Sequence, residues 1–263
     1  SNGRKGNVFL LESVEGGAAR GRYSMIGLDP DLIWRANGDH AEINRHALTK
    51  PDAFEPCPGK PLDALRKLIA ESAVPDLPGV NLPPMAAGVF GYLGYDTVRL
   101  MEELPAPNPD PIGIPEAVLV RPTVVVVFDA VKDSITVVTP VRPETGVTPK
   151  AALARAEERL AAVVDALDRP LDKAVADTDT GPLDVTPKSN TTAAEYRAMV
   201  LKAKEYILAG DIFQVVLAQR YDIDLQADPF DFYRVLRQVN PSSYMYFLRH
   251  AECTIAGSSP EPM

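Results

Sequence analysis

The chain has 263 residues, 46% of them hydrophobic and 24% charged, with 27 Lys and Arg against 36 Asp and Glu for a net charge of −9. That length can bury a substantial core as one large domain or two. The acidity argues against a nucleic-acid face, which needs clustered bases, and no apolar run reaches the ~20 residues that span a bilayer. No apolar stretch of signal-peptide type follows the first residues. Two cysteines, Cys57 and Cys253, make neither a disulfide framework nor a metal cluster. They fit reduced thiols in the cytoplasm.

Residues 8–11 form a short apolar run that predicts a strand. Residues 33–36, the pair Asn37-Gly38 and residues 41–43 predict a hairpin, because Asn-Gly supplies the positive φ of a tight turn. Leu62, Leu65, Leu68 and Ile69 fall at helical spacing, and a proline-rich connector follows at 75–84. Gly88, Gly91 and Gly94 punctuate A-G-V-F-G-Y-L-G. No G-K-[ST] follows, so they are not a phosphate loop; they are expected to allow close backbone approach. Prolines crowd residues 105–115, which predicts an irregular loop.

The unbroken run T-V-V-V-V-F-D at 123–129 predicts a buried strand, paired with residues 134–139 across a turn at 130–133. Leu153, Ala156, Leu160, Val163, Val164 and Leu167 mark an amphipathic helix. Residues 169–190 are polar and aperiodic and are expected to form a linker. Thr192 and Glu195 make a capping box, and Gly210 ends the helix that it opens. Residues 214–223 predict a strand. Asp228-Pro229 opens a helix to about residue 239. Residues 243–248 and 253–256 predict two strands joined by a tight turn. Hairpins followed by helices give an α+β class with largely antiparallel sheets.

Three of these segments read together: A-G-D-I-F-Q-V-V-L-A-Q-R (209–220), N-P-S-S-Y-M-Y-F (240–247) and G-S-S-P-E (257–261). At the front stand F-L-L-E-S-V-E-G-G (9–17) and R-G-R-Y-S-M-I-G (20–27). In this order they resemble the anthranilate synthase component I family, which aminates chorismate to begin tryptophan synthesis. The resemblance spans nearly the whole chain. It implies a layered α/β/β/α sandwich. It also implies a tryptophan-sensing N-terminal region (1–168), the linker (169–190), and the start of a chorismate-binding catalytic domain (191–263). Family members continue well beyond such a C-terminal point. The substrate ligands and the acidic ligands of the family's Mg²⁺ are therefore expected outside this chain, and the segment alone is expected to be inactive.

The resemblance implies two catalytic residues. Ammonia adds at C2 of chorismate, the ring double bonds shift, and hydroxide leaves from C4. A poor leaving group needs an acid, and Glu261 of S-P-E matches it; taken alone, the segment reads as a turn with an exposed acid. Pro262 follows where the family carries an apolar residue. Gln214 stands where water-adding relatives carry Lys. Ammonia brings its own lone pair, so a neutral hydrogen-bonding side chain suffices; the bland alternative is a buried Gln bonding to backbone. By the same resemblance Glu12, Ser13, Arg22, Ser243, Tyr244 and Met245 fall on an inhibitor pocket for tryptophan. Its ammonium needs acceptors, its carboxylate donors, and its indole an apolar slot. Tyr244 and Met245 also read as core strand residues. Ser243 replaces a frequent Pro. His40, His46 and His250 are too scattered for a metal site.

The partner implied is a glutamine amidotransferase, with chorismate as substrate. The nearest rival is aminodeoxychorismate synthase component I, which the L-L-E-S-V-E-G-G and R-Y-S blocks disfavour. A catalytically dead tryptophan-binding module is the alternative of a different class.

Overall fold

The computed structural model describes residues 6–14, 21–75, 79, 82–170 and 185–261. The chain divides into two compact units, Ser1–Pro170 with Pro229–Met263, and Leu171–Asp228.

The first unit is organised by one long ribbon. Strand β1 is Val8–Glu12, β2 is Tyr23–Asn37, β3 is His40–Asn44 and β4 is Glu55–Pro56. After helix α1 (Pro61–Ser72) come β5 (Phe90–Leu93), a 3₁₀ turn (Tyr95–Leu100), β6 (Ala117–Asp129) and β7 (Ser134–Val138). Every pairing is antiparallel. β2 pairs with β6 along nearly its whole length, from Tyr23 opposite Asp129 to Ala36 opposite Ala117. At one end the ribbon adds β1 and β7; at the other it adds β3 and β5. Both strands exceed the sequence expectation, which covered only residues 33–36 and 123–129. Pro30 and Pro122 face one another beside a register shift between Pro30 and Leu32. Neither proline has an N–H to lose from the ladder, so the break that each would cause falls at one shared bend.

The bend brings the two ends of the ribbon face to face. In a flat sheet Phe9 (opposite Gly27) and Phe90 (opposite Val120) would lie about 20 Å apart along the ribbon alone. Their rings stack at 4.4 Å between centroids. Met25, Val125, Val127 and Leu248 from one end pack with Ile33, Val118 and Val120 from the other in this inner core. Alternation then sends Leu32, Trp34 and Ala36 to the opposite face, where Leu65 and Leu68 of α1 cover them. Helix α2 (Pro149–Leu167) is capped by the Thr148 hydroxyl and runs beside β7.

Strand β8 (Lys188–Ser189), helix α3 (Ala193–Ala209) and strand β9 (Tyr221–Asp222) belong to the second unit, and the chain then returns to the first through α4 (Pro229–Val239), β10 (Tyr244–Arg249) and β11 (Thr254–Ser259). β10 inserts between β1 and β11. Tyr233 and Leu236 of α4 pack on Met245, Phe247, Leu10 and Ala256. The layers of this unit are thus α4, one end of the sheet, the other end, and α1, as the sandwich expectation required. Close approach explains Gly91 and Gly94 but not Gly88, where a Cβ would meet only the Phe90 ring at 4.0 Å. A Cβ on Gly91 would strike the Val118 carbonyl, and one on Gly94 would sit 2.8 Å from the Glu116 carbonyl oxygen. Gly27 and Gly257 lie directly opposite Phe9 and Tyr246, whose rings occupy the space of a side chain.

In the second unit β8 (Lys188–Ser189) pairs with β9 (Tyr221–Asp222). β8 falls in the polar stretch expected as a linker, much of which lies outside the described residues. Helix α3 (Ala193–Ala209) carries the expected reciprocal capping box between Thr192 and Glu195, and Gly210 ends it at φ 83°. The expected strand over 214–223 does not form. Residues 214–220 are irregular and only Tyr221–Asp222 is a strand. Among the described residues no second edge is offered to that segment, and β-propensity without a partner makes no sheet.

Candidate functional site

Antiparallel pairing decides which residues meet. Because β10 runs opposite to both neighbours, its start lies beside their ends. Met245 is opposite Glu12 on β1, and Tyr244 is opposite Ser259 on β11. The Val14 N–H donates to the Ser242 carbonyl at 3.1 Å. One corner of the sheet therefore gathers residues 12–14, 240–245 and 258–261. Of the residues expected from sequence, Glu12, Ser13, Ser243, Tyr244, Met245 and Glu261 come to this corner.

Helix α4 fixes Glu12 there. Its carboxylate accepts from Tyr233 Oη at 2.7 Å and from Arg237 Nε at 3.1 Å. Tyr233 and Arg237 are four residues apart and so share one helix face. Hydrogen bonds to a charged group contribute about 1.5–3 kcal/mol each. Burial, and then the Glu12 carboxylate, pushes the Tyr233 phenol above its ordinary value, so it stays a donor. Met245 is 1% exposed and belongs to the core under α4, whereas Tyr244 is 42% exposed and presents its ring to the surface. The Ser13 hydroxyl accepts from the Gly21 N–H at 2.7 Å, tying the residues just past β1 to those just before β2.

Arg22 is differently employed. Its Nε and Nη2 donate to the two carboxylate oxygens of Asp129 at 2.9 and 2.8 Å. The pairing holds the Asp129 carboxyl down at about 2, and Arg22 is raised in turn. A carboxylate ligand would have to share Arg22 with Asp129. A shallow cleft of about 290 Å³ opens beside Arg22, Asp129 and Lys132. None of Glu12, Ser13, Tyr244, Met245 or Glu261 lines it.

Glu261 follows β11 and its side chain is exposed. Ser259 shapes its turn: the Glu261 N–H donates to Ser259 Oγ at 3.3 Å, and that hydroxyl donates to the Glu261 carbonyl at 2.9 Å. Pro262 lies outside the described residues. Behind the turn stands Ser242, 6% exposed, whose hydroxyl donates to the Ser259 carbonyl at 2.6 Å. Gln214 belongs to the second unit, where its side chain is exposed in the irregular 214–220 segment. Among the described residues no three of His, Cys, Asp or Glu gather as a cation site.

Sequence reasoning missed Tyr233, Arg237, Asp129 and Ser242. The i, i+4 pairing of Tyr233 with Arg237 was readable as a shared helix face. Nothing local announces that this face meets Glu12, more than 200 residues earlier.

Comparison with known proteins adds four findings. The sequence model of the family described as chorismate binding enzyme matches residues 14–263. The chain is 51% identical over 258 residues to anthranilate synthase component 1 of Cereibacter sphaeroides, covering 97% of this chain and 50% of that protein. It is 37% identical over 266 residues to anthranilate synthase component 1 of Pseudomonas putida, covering 97% and 51%. Among solved structures, anthranilate synthase component I from Streptococcus pneumoniae superposes with a TM-score of 0.71 at 29% identity, covering 94% of this chain and 52% of that one. The chain thus spans about half the length of the relatives it matches.

Proposed function

Since the chain belongs to the chorismate-binding enzyme family, we propose that the whole protein is the large component of anthranilate synthase. It converts chorismate and ammonia to anthranilate and pyruvate. A glutamine amidotransferase component supplies the ammonia, and tryptophan inhibits. The observation that carries this reading is agreement, over nearly the whole chain, with relatives named for that component.

Glu261 is the acid that protonates the departing 4-hydroxyl, and Gln214 hydrogen-bonds the incoming ammonia. The corner beside Glu261 receives tryptophan. Glu12 accepts from the ammonium, Ser13 and the 240–245 backbone line the slot, and Tyr244 flanks the indole with Met245 beneath; Arg22, held by Asp129, is not part of this set. A bound Mg²⁺ would polarise the substrate carboxylate. Among the described residues no three of His, Cys, Asp or Glu gather to hold it. Among the described residues no helix is long and apolar enough to cross a membrane.

The test is product analysis. Full-length protein with chorismate, Mg²⁺ and ammonium salt should yield fluorescent anthranilate, and with glutamine only when the amidotransferase is added. Aminodeoxychorismate as the product would overturn the reading. In the same assay Ser13→Phe should weaken tryptophan inhibition roughly tenfold, because overfilling a packed site costs about 1–3 kcal/mol. An unchanged inhibition curve would remove Ser13 from the site.

A further inference from the structure

We propose that Ser242 is a positioning residue that ties the effector corner to the turn bearing Glu261. The proposal rests on the reading of that corner and that acid given above.

Ser242 touches all three strand ends at once. Its carbonyl accepts from Val14 just past β1. Its hydroxyl accepts from the Tyr244 N–H at 3.2 Å at the start of β10. The same hydroxyl donates to Ser259 at the end of β11, at 2.6 Å. Ser259 in turn holds both backbone groups of Glu261 through its own hydroxyl. A parallel clasp lies one step out, where Ser258 Oγ donates to the Asn240 carbonyl at 2.7 Å. Residues 240–242 and 258–259 are therefore bound as one body, and Val14 is attached to it.

A ligand seated against Ser13 and Tyr244 displaces the two backbones that Ser242 bonds. The short hydroxyl bond carries that displacement to Ser259, and Ser259 sets where Glu261 points. The side chain is buried and small, so its part is to position and not to touch substrate. Alanine at 242 keeps the backbone link to Val14 and removes the hydroxyl links to Tyr244 and to β11. The prediction is thus a loss of communication more than a loss of either site.

The experiment measures the tryptophan Kd of the full-length protein by calorimetry, with and without saturating chorismate, ammonia being withheld. Coupling between two sites is reciprocal and typically about 5–150-fold. The parent should show a factor in that range. Ser242→Ala should bring it below about twofold and lower kcat with ammonia, while Ser242→Thr, which retains the hydroxyl, should restore both. A merely structural role would lower Tm and leave the coupling factor of the folded protein intact; that result, or parent coupling in Ser242→Ala, overturns the proposal alone. Should Ser242→Ala not fold, Ser259→Ala, at a half-exposed position, replaces it. Parent coupling and kcat in that variant also overturn the proposal. A parent that ignores tryptophan altogether overturns the proposal together with the regulatory reading beneath it.

Discussion

Two apolar runs of similar composition have opposite fates in this molecule. Val124, Val125, Val126 and Val127 in β6 are at most 2% exposed, whereas Val215 and Val216 in the second unit are 45% and 82% exposed. The run in β6 has β2 on one edge and β7 on the other. The run at 214–220 has neither among the described residues. Strand character is therefore a property of the neighbours, and the residues only permit it.

The sharpest way to break this contrast is to place the same charge in both runs. Val125→Asp buries an unpaired carboxylate and should destabilise the first unit by about 4 kcal/mol or more, while Val216→Asp should change stability by less than about 0.5 kcal/mol. The single tryptophan, Trp34, is 1% exposed in the first unit. Its fluorescence in a urea titration reads the difference directly. Equal midpoints for the two variants would dissolve the contrast.

A smaller effect separates two glycines. Gly91 has φ 155° and no room for a Cβ beside Val118; Gly210 has φ 83° with nothing within 4 Å. Alanine at 91 carries both strain and collision and should cost about 3 kcal/mol, whereas at 210 it should cost only the left-handed penalty of about 1 kcal/mol. Thermal melts followed by Trp34 for the first, and by helical circular dichroism for the second, give the comparison.

The smallest effect concerns acid. His250 in the β10–β11 turn is 6% exposed, with Asn7 at 3.3 Å and the Tyr92 ring at 5.7 Å between centroids. Burial lowers its pKa from 6.5, opposed by Glu252 in the same turn; Tyr92 and Cys253 nearby are both raised by burial and stay neutral. The unfolded chain therefore takes up the proton first. The contribution of neutral His250 is complete above 6.5 and is lost as pH falls through its lower folded value. The resulting slope is at most about 1.4 kcal/mol per pH unit. His250→Gln should flatten the decline of the first unit's stability between pH 7 and 5, and an unchanged slope would exclude His250 as its source.

Local chemistry was legible where the cause was local. Asn37-Gly38 gave the β2–β3 hairpin, with Gly38 at φ 54°. Thr192 with Glu195 gave the start of α3. The glycines at 91 and 94 were readable as packing. The lengths of β2 and β6 were not, because it is the facing of Pro30 and Pro122 across the ladder that lets both strands run on through one bend. The expected strand at 214–223 failed for the reason its propensity could not show: its partner is not written in it. At the candidate site the clustering of residues 12–13 with 243–245 was implied by the resemblance. The anchoring of Glu12 by Tyr233 and Arg237, and of Arg22 by Asp129, was invisible, because each bond joins segments more than 100 residues apart.

The place of β10 has a consequence for how the polypeptide is made. β1 leaves the ribosome long before the neighbour on its outer edge, Tyr244–Arg249. Throughout synthesis of the intervening chain, β1 carries a row of open amides and carbonyls, and Leu10 lacks its cover. Such a waiting edge invites pairing with another nascent chain. The newborn protein is therefore most prone to aggregate in the interval that ends when α4 and β10 emerge, and a holdase that masks residues 8–12 would protect it only until then.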